Sequence, residues 1–492
     1  MNLTRKKYVK FVVGLLIISL LSSCSSIKEE KANTTKLELF GDKKNVFGNI
    51  EVPSDFNWRQ WEGTVLDFIV EDNINAKILS KECNKFTEVT GIQVNFKTME
   101  FNTLVEKINM EFIAQTEQYE LIYVDPYQTL NRFSDSLEDL YKYQKDERLP
   151  HIVGGLDSFQ KEHLEICSYF MNDEKLRAIP FDSTTMILFY RKDIFDKYKD
   201  QMNEELGYNP VPGARTFTWE KYMEVSQWIS NNVPKSEIKH GSLSMTADHN
   251  SIYVSFSNIF RAYGGDYFTD ANINSLGIEK GSSIHVNTPA FQKALDIYHE
   301  LAILNNDGKT DWNWTNIKDS FKEGEVAMMI NWDENAAAVE NESESKVAGK
   351  VGYSLLPYGS ERSANIYGGS GIGINGNISE EKKMAAWLFI VWATSPQIQM
   401  KTFLEEKGGN TPTRSDLHNL IEAKYIVSFP NTSSVIKAQN KSNAYYRPKM
   451  KIGYDFETIM TDNLYKMVSG ELNQEKVIEN IQAQWNKVSA DQ

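Results

Sequence analysis

The stretch TVLDFIVEDNINAKILSKECNKFTEVTGIQVNFKTMEFNTLVEKINMEFIAQTEQYELIYVD, residues 64–125, decides the fold. It opens on Thr64–Val70, an apolar run of strand length. Leu79, Cys83 and Phe86 then recur at helical spacing, and Gly91 supplies a stop for that helix. Ile92, Val94 and Phe96 alternate as in a strand, Val105, Ile108 and Phe112 mark a second helix, and Tyr119–Val124 is another buried apolar run ending at Asp125. Strand, helix, strand, helix, strand at this rhythm implies βαβ architecture around a largely parallel sheet.

Downstream the pattern restarts. Thr184–Tyr190 reads as a strand, and Thr218 as the N-cap of a helix that turns Tyr222, Val225 and Ile229 inward. Thr288-Pro289 opens another helix, with Phe291, Leu295, Tyr298 and Leu301 on one face. Val326–Asn331 and Val351–Leu355 are strand-like. Ser379 caps a helix with Glu380 and Glu381 in its first turn, Pro396 follows its end, and Gln474–Val488 forms a terminal helix. Two α/β lobes account for this order economically.

Composition agrees. Of 492 residues, 41% are hydrophobic and 24% charged, a globular balance with ample core material. The formal net charge of −14 argues against nucleic acid as a partner, which requires clustered Lys and Arg. The long apolar run, Phe11–Leu21, is too short to span a bilayer. It follows a basic segment and precedes Leu21-Ser22-Ser23-Cys24, the layout of a secretory signal. Two further cysteines, Cys83 and Cys167, read as buried small hydrophobes, although an exported chain could bridge them. Neither Cys-x-x-Cys nor His-Glu-x-x-His occurs, so no metal site and no cofactor is expected. Gly371-Ile372-Gly373-Ile374-Asn375-Gly376 spells G-x-G-x-x-G. Its alternating Ile residues make it a strand, and the next helix starts only after Ser379, so it is no dinucleotide fingerprint.

Leu21–Cys24 resembles the bacterial lipobox, in which the Cys becomes a lipid-bearing N-terminus. Several further strings resemble the family-1 extracellular solute-binding proteins, the maltodextrin-binding-protein class that serves ABC importers. They are Ile179-Pro180-Phe181, Tyr190–Phe195, Thr218-Trp219-Glu220, Ala262–Gly265, Phe321–Met328 and Gly369–Asn375, in that order. The resemblance covers residues 60–490 and implies a two-lobed periplasmic-binding-protein type II fold, each lobe a mixed sheet flanked by helices, with a three-crossing hinge. It divides the chain into a signal peptide (1–23), a tether and extension (24–62), an N-lobe (63–179 with 369–410) and a C-lobe (180–368 with 411–492). Pro180, Gly368 and Gly409 are the expected hinge residues, near crossings at 179–182, 367–369 and 408–411.

By position against that family, the N-lobe wall of a ligand cleft would include Asp72, Asn73, Asp125 and Tyr127, beyond strand ends where open α/β sheets bind ligands. The C-lobe wall would include Tyr253, Tyr263, Gly265, Trp332, Asp333, Arg447 and Tyr454. Gly369 and Ser370 would sit at a crossing. Sugars stack C–H faces on aromatic rings and need hydrogen-bond partners for their hydroxyls, so this mixture suits a carbohydrate. Trp312 and Trp314, read as loop residues flanking Asn313, are further candidates. The expected protein is no enzyme but a monomeric receptor on the outer face of a Gram-positive cell membrane. It would be anchored through lipid on Cys24 and would hand its solute to ABC permease subunits. A surface-attached glycoside hydrolase is the rival reading, and a polyamine, a peptide or an iron chelate the alternative cargo.

Overall fold

The structure is a computed structural model, and it describes residues 52–268, 276–278, 283–305, 311–405 and 407–490. The signal segment, Cys24 and most of the tether lie outside the described residues. From residue 52 the chain runs through turns as far as Gly63, where Trp61 is buried and the Arg59 guanidinium donates to the Glu88 carbonyl at 3.0 Å.

Three parallel strands follow the expected rhythm: β1 (Val65–Glu71), β2 (Gln93–Met99) and β3 (Leu121–Val124). The helix between the first two, Ile74–Thr90, starts at Asn73, whose side chain accepts from the Ala76 N–H at 3.0 Å. It ends at Gly91 in the left-handed conformation (φ 72°), a geometry that costs glycine least. The helix Phe101–Ala114 joins the second and third strands.

β4 (Ala178–Asp182) completes this first sheet, but not beside β3. β10 (Ser370–Ile374) inserts between them, antiparallel to both, giving the order β2-β1-β3-β10-β4. The sheet is therefore mixed. β10 is the Gly-Ile-Gly-Ile run, and its glycines are steric: a Cβ on Gly371 would stand 2.7 Å from that of Ala178, and one on Gly373 2.8 Å from the Val124 side chain. Behind the sheet, Phe68, Phe86, Phe389 and Trp392 meet edge-on or tilted at centroid distances of 5.5 to 5.8 Å.

The second sheet has the order β6-β7-β5-β8, from β5 (Met186–Arg191), β6 (His240–Ser242), β7 (Val326–Trp332) and β8 (Val351–Ser354). A short parallel pair joins β9 (Asn365–Ile366) to β11 (Ala444–Tyr445). The helices Trp219–Asn232, Ser251–Ala262, Pro289–Asn305 and Gly453–Val468 build the core around this sheet, with the terminal helix Gln474–Ala490 against them. Thr218, Thr288 and Ser379 each cap their helix through a side-chain oxygen.

Sheet membership refines the expected boundaries. β4 runs to Asp182 and Pro180 is paired inside it, opposite Gly371, so the chain leaves the first sheet over residues 183–185 and not at 179–180. The return passes through residues 367–369, where the Gly368 N–H donates to the Thr184 carbonyl at 2.8 Å. Residues 410–411 lie against the outgoing segment. Asn410 donates to Asp182 at 3.1 Å, and the Ser183 hydroxyl donates to the Thr411 carbonyl. The chain still packs on the first lobe beyond residue 411: the Ser415 hydroxyl donates to the Ser158 carbonyl at 3.0 Å, and Gln160 bonds the His418 ring. Only the following helix, Asn431–Gln439, reaches β5 and β8. Gly368, Gly369 and Gly409 all lack a positive φ; Lys407, at 51°, and Gly408, at 81°, are the left-handed residues beside Gly409. Cys83 and Cys167 are buried free thiols, and burial pushes both up to about 12, which keeps them protonated and inert. Among the described residues no helix is long and apolar enough to cross a membrane.

Candidate functional site

The two sheets present matching edges to one another. β1 and β3 end at Glu71 and Val124, so the residues after them, Asp72-Asn73 and Asp125, stand at the carboxyl edge. β4 ends there at Asp182. In the second sheet Trp332, the last residue of β7, pairs with Met186, the first of β5. Between these edges lies a cavity of about 300 Å³, at the small end of ligand sites. Glu71, Asp72, Asn73, Lys77, Phe101, Tyr123 and Asp125 line it from the first lobe. Asn250, Trp314, Lys318, Trp332, Glu334 and Arg447 line it from the second, with Thr184 and Gly368 at the connections.

Local chemistry fixes each wall. Asp125 ends β3 and caps the turn Pro126–Leu130, its Oδ1 accepting from the Tyr127 and Gln128 N–H groups at 2.8 Å each. Asn73 caps its helix with its oxygen and donates its Nδ2 to Asp182 at 3.3 Å. The Tyr123 hydroxyl donates toward Glu71 at 3.0 Å and Asp182 at 3.3 Å. On the other side the Trp314 and Trp332 rings stand 6.1 Å apart at 63°, and Trp314 meets the His249 ring edge-on at 4.6 Å. Gly368 makes room for Trp332, since a Cβ there would lie 2.8 Å from its ring. Two half-buried indoles beside carboxylates and amides form the mixed surface that a sugar requires.

Electrostatics at the base are unusual. Burial, then the charge of Asp182, pushes the Glu71 carboxyl well above the ordinary range, with the Tyr123 hydroxyl opposing. Burial raises Glu334 strongly, and Asp182, Glu71 and Asp333 add to it against the opposing Lys318. Burial raises Asp125 as well, opposed by Arg447. Arg447 stays charged despite its burial because Glu457, Tyr127 and Asp125 surround it. It pairs with Glu457 at 3.0 Å and lies 4.1 Å over the Tyr127 ring.

Five of the residues expected in a cleft wall line this cavity: Asp72, Asn73, Asp125, Trp332 and Arg447. Gly368, expected as a hinge, lines it too. The other expected wall residues stand elsewhere. Asp333 lies beneath the lining, wholly buried, where its Oδ1 accepts from the Thr185 N–H at 2.6 Å and ties the end of β7 to the connection. Tyr127 supports Arg447 from below. Tyr253 is core, packed on Tyr267 and Phe456. The Tyr263 hydroxyl donates to Glu220 at 2.7 Å, away from the cavity lining. Gly265 is a packing glycine, since a Cβ there would collide with the Phe260 ring. Gly369 is held against the Tyr367 hydroxyl and the Asp182 carbonyl, and Ser370 is buried opposite Asp182 in β10. Tyr454, 48% exposed, lines an adjoining groove.

Glu71, Phe101, Tyr123, Asn250, Lys318 and Glu334 line the cavity without having been singled out. Two carried a usable signal: Glu71 precedes Asp72 at a strand end, and Glu334 follows Trp332-Asp333. Trp314 is no loop residue. Asn313 and Asn316 form a reciprocal capping box, and Trp314 opens the helix Trp314–Lys322.

Two mixed α/β lobes with a cavity between their facing strand edges define a solute-binding protein. Comparison with known proteins agrees. The model of the bacterial extracellular solute-binding protein family matches residues 81–426, and this chain belongs to that family, which works outside the cytoplasm with ABC transporters. A probable amino-acid ABC transporter periplasmic-binding protein of Sinorhizobium fredii is 23% identical over 365 residues, 74% of this chain and 75% of the relative. Among solved structures, an ABC transporter solute-binding protein of Agrobacterium radiobacter K84 in complex with ribitol superposes with a TM-score of 0.72 at 21% identity, covering 87% of this chain and 99% of that one. The maltose-bound MalE3 of T. maritima gives 0.70 at 21% identity, covering 87% and 100%. At these identities the likeness defines the two-lobed fold.

Proposed function

We propose that this protein captures a sugar or polyol between its two lobes and delivers it intact to the permease of an ABC importer. The observation that carries this reading is the cavity between the strand edges, with Trp314 and Trp332 on one wall and the Asn73, Asp125 and Tyr123 polar groups on the other. Ring faces stack on apolar sugar C–H surfaces, and the opposing carboxylates and amides replace the water lost from hydroxyls. Solved relatives holding ribitol and maltose support the same class of solute. Capture works by population shift: a solute that touches both walls favours the closed arrangement by its differential affinity for it.

Lipid on Cys24 keeps the receptor at the outer face of a Gram-positive cell membrane, near its permease. A Cys24→Ala variant is expected in the medium instead of the membrane fraction; unchanged fractionation removes the anchor from the account. The solute reading is tested by thermal shift and calorimetry across polyols, mono- and oligosaccharides, with chromatography of the ligand afterwards. Stabilisation with the ligand recovered whole supports it. Shortened products would instead make the protein a hydrolase.

A further inference from the structure

The cavity carries more acid than a neutral sugar needs. Asp72 is paired with Lys77 at 3.1 Å, and Arg447 with Glu457 at 3.0 Å. Glu71, Asp125 and Glu334 remain on the lining, with Asp182 and Asp333 buried behind them. The remaining cation of the lining, Lys318, stands 3.6 Å from Asp319.

Two of these carboxylates have oxygens without donors. Asp125 is 3% exposed and its Oδ1 takes two backbone N–H groups, while no donor among the described residues reaches its Oδ2. The Glu334 Oε2 is buried and has no hydrogen-bond partner. A buried acceptor left unmet costs free energy, so a donor that arrives with the ligand gains what water or protein does not supply there. Among the described residues no group of three acids, His or Cys converges as metal ligands do. The donor that suits this place is an ammonium group, which the faces of Trp314 and Trp332 also attract. An adjoining groove of about 280 Å³ shares Phe101 and Asn250 with the cavity and extends the same character. It is lined by Glu106, Asp248 and Asp462, with Glu457 already paired to Arg447, and by neither Lys nor Arg.

We propose that the solute bears at least one protonated amine, seated among Glu71, Asp125 and Glu334; resting on the saccharide reading above, it is an amino sugar or a short amino-sugar oligomer that reaches into the adjoining groove. The ammonium donates to the unmet oxygens of Asp125 and Glu334, drawing to their charged form carboxyls that burial otherwise favours as neutral acids, and the ring lies against the tryptophans. N-acetylation would remove both the charge and two of the donors.

Titration calorimetry of the protein with a glucosamine trimer, its fully N-acetylated counterpart and spermidine tests this. The amine trimer is expected to bind at least about tenfold tighter than the acetylated one, with the preference shrinking as salt is raised. Glu334→Gln should cut that preference several-fold. Equal or tighter binding of the acetylated trimer overturns the amine and leaves the saccharide reading standing. Spermidine binding without any saccharide keeps the amine and overturns the saccharide reading.

Discussion

The two walls of the cleft are built from the same device, the end of a β-strand, and do opposite work. On the first lobe, Glu71 ends β1 and Asp125 follows β3; both line the cavity, and Asp125 also caps the turn after it. On the second lobe, β7 ends in Trp332, whose ring meets Trp314 from the next-door helix. On the acid wall Asp125 is held by backbone N–H groups, Glu71 by Tyr123 and Asp72 by Lys77. The aromatic wall is shaped by space, because Gly368 leaves a gap that the Trp332 ring enters. Directional polar groups suit the selection of donor patterns, whereas the indoles offer apolar area without a pattern of donors.

The largest effect should come from the aromatic wall. Trp332→Ala is expected to weaken saccharide binding by about tenfold or more, the loss of a stacked ring, with the melting temperature of the unliganded protein little changed; unchanged affinity would mean the indole is not a platform. Gly368→Ala sharpens the same comparison without touching the ring. Its Cβ would stand 2.8 Å from Trp332, so the indole must shift, and a several-fold loss of affinity is expected in calorimetry. Wild-type affinity in this variant would show that the ring position is loosely set.

The smallest effect tests the acid wall through pH. Burial and then the Asp182 charge push Glu71 up to about 8, with Asp125 and Glu100 adding and Tyr123 opposing, whereas its ordinary value is 4.5. The folded state keeps a proton that the unfolded chain gives up. The contribution of Glu71 is therefore fully present below about 4.5 and is lost as pH rises through about 8. Glu71→Gln stays neutral throughout. The melting temperature of the variant relative to wild type should rise by a few degrees between about pH 5 and about pH 8. Parallel curves for the two proteins would place Glu71 in contact with solvent.

Much of this was legible in residues 64–125 because the signals there are local. Periodicity of 3.6 or 2, a glycine at a helix stop and an acid just past an apolar run all act within a few residues, so the strand ends beside Asp72, Asn73 and Asp125 are visible in the sequence. The place of those residues and of Trp332 in a cleft wall comes from position against the resembled family. Tyr253 and Gly265 were not distinguishable from cleft residues, since a tyrosine in a helix packs inward or outward according to neighbours such as Phe456, just over two hundred positions away in sequence. The insertion of β10 between β3 and β4 was equally invisible, because pairing is settled by distant strands and by the clearance at Gly371 and Gly373. Glu71 and Glu334 looked like ordinary surface acids. Burial first, and then the approach of Asp182, gives them their character.

By itself the sequence determined the alternation of strands and helices, the restart that makes a second lobe, and the polar residues stationed at strand ends. Backbone propensity and side-chain period are properties of short segments and survive without knowledge of the rest. The tertiary structure alone decided which of those residues share a cavity, which way each aromatic ring faces, and which carboxylates are held out of water. Those outcomes depend on burial and on charges brought together from remote parts of the chain, and no short segment contains that information.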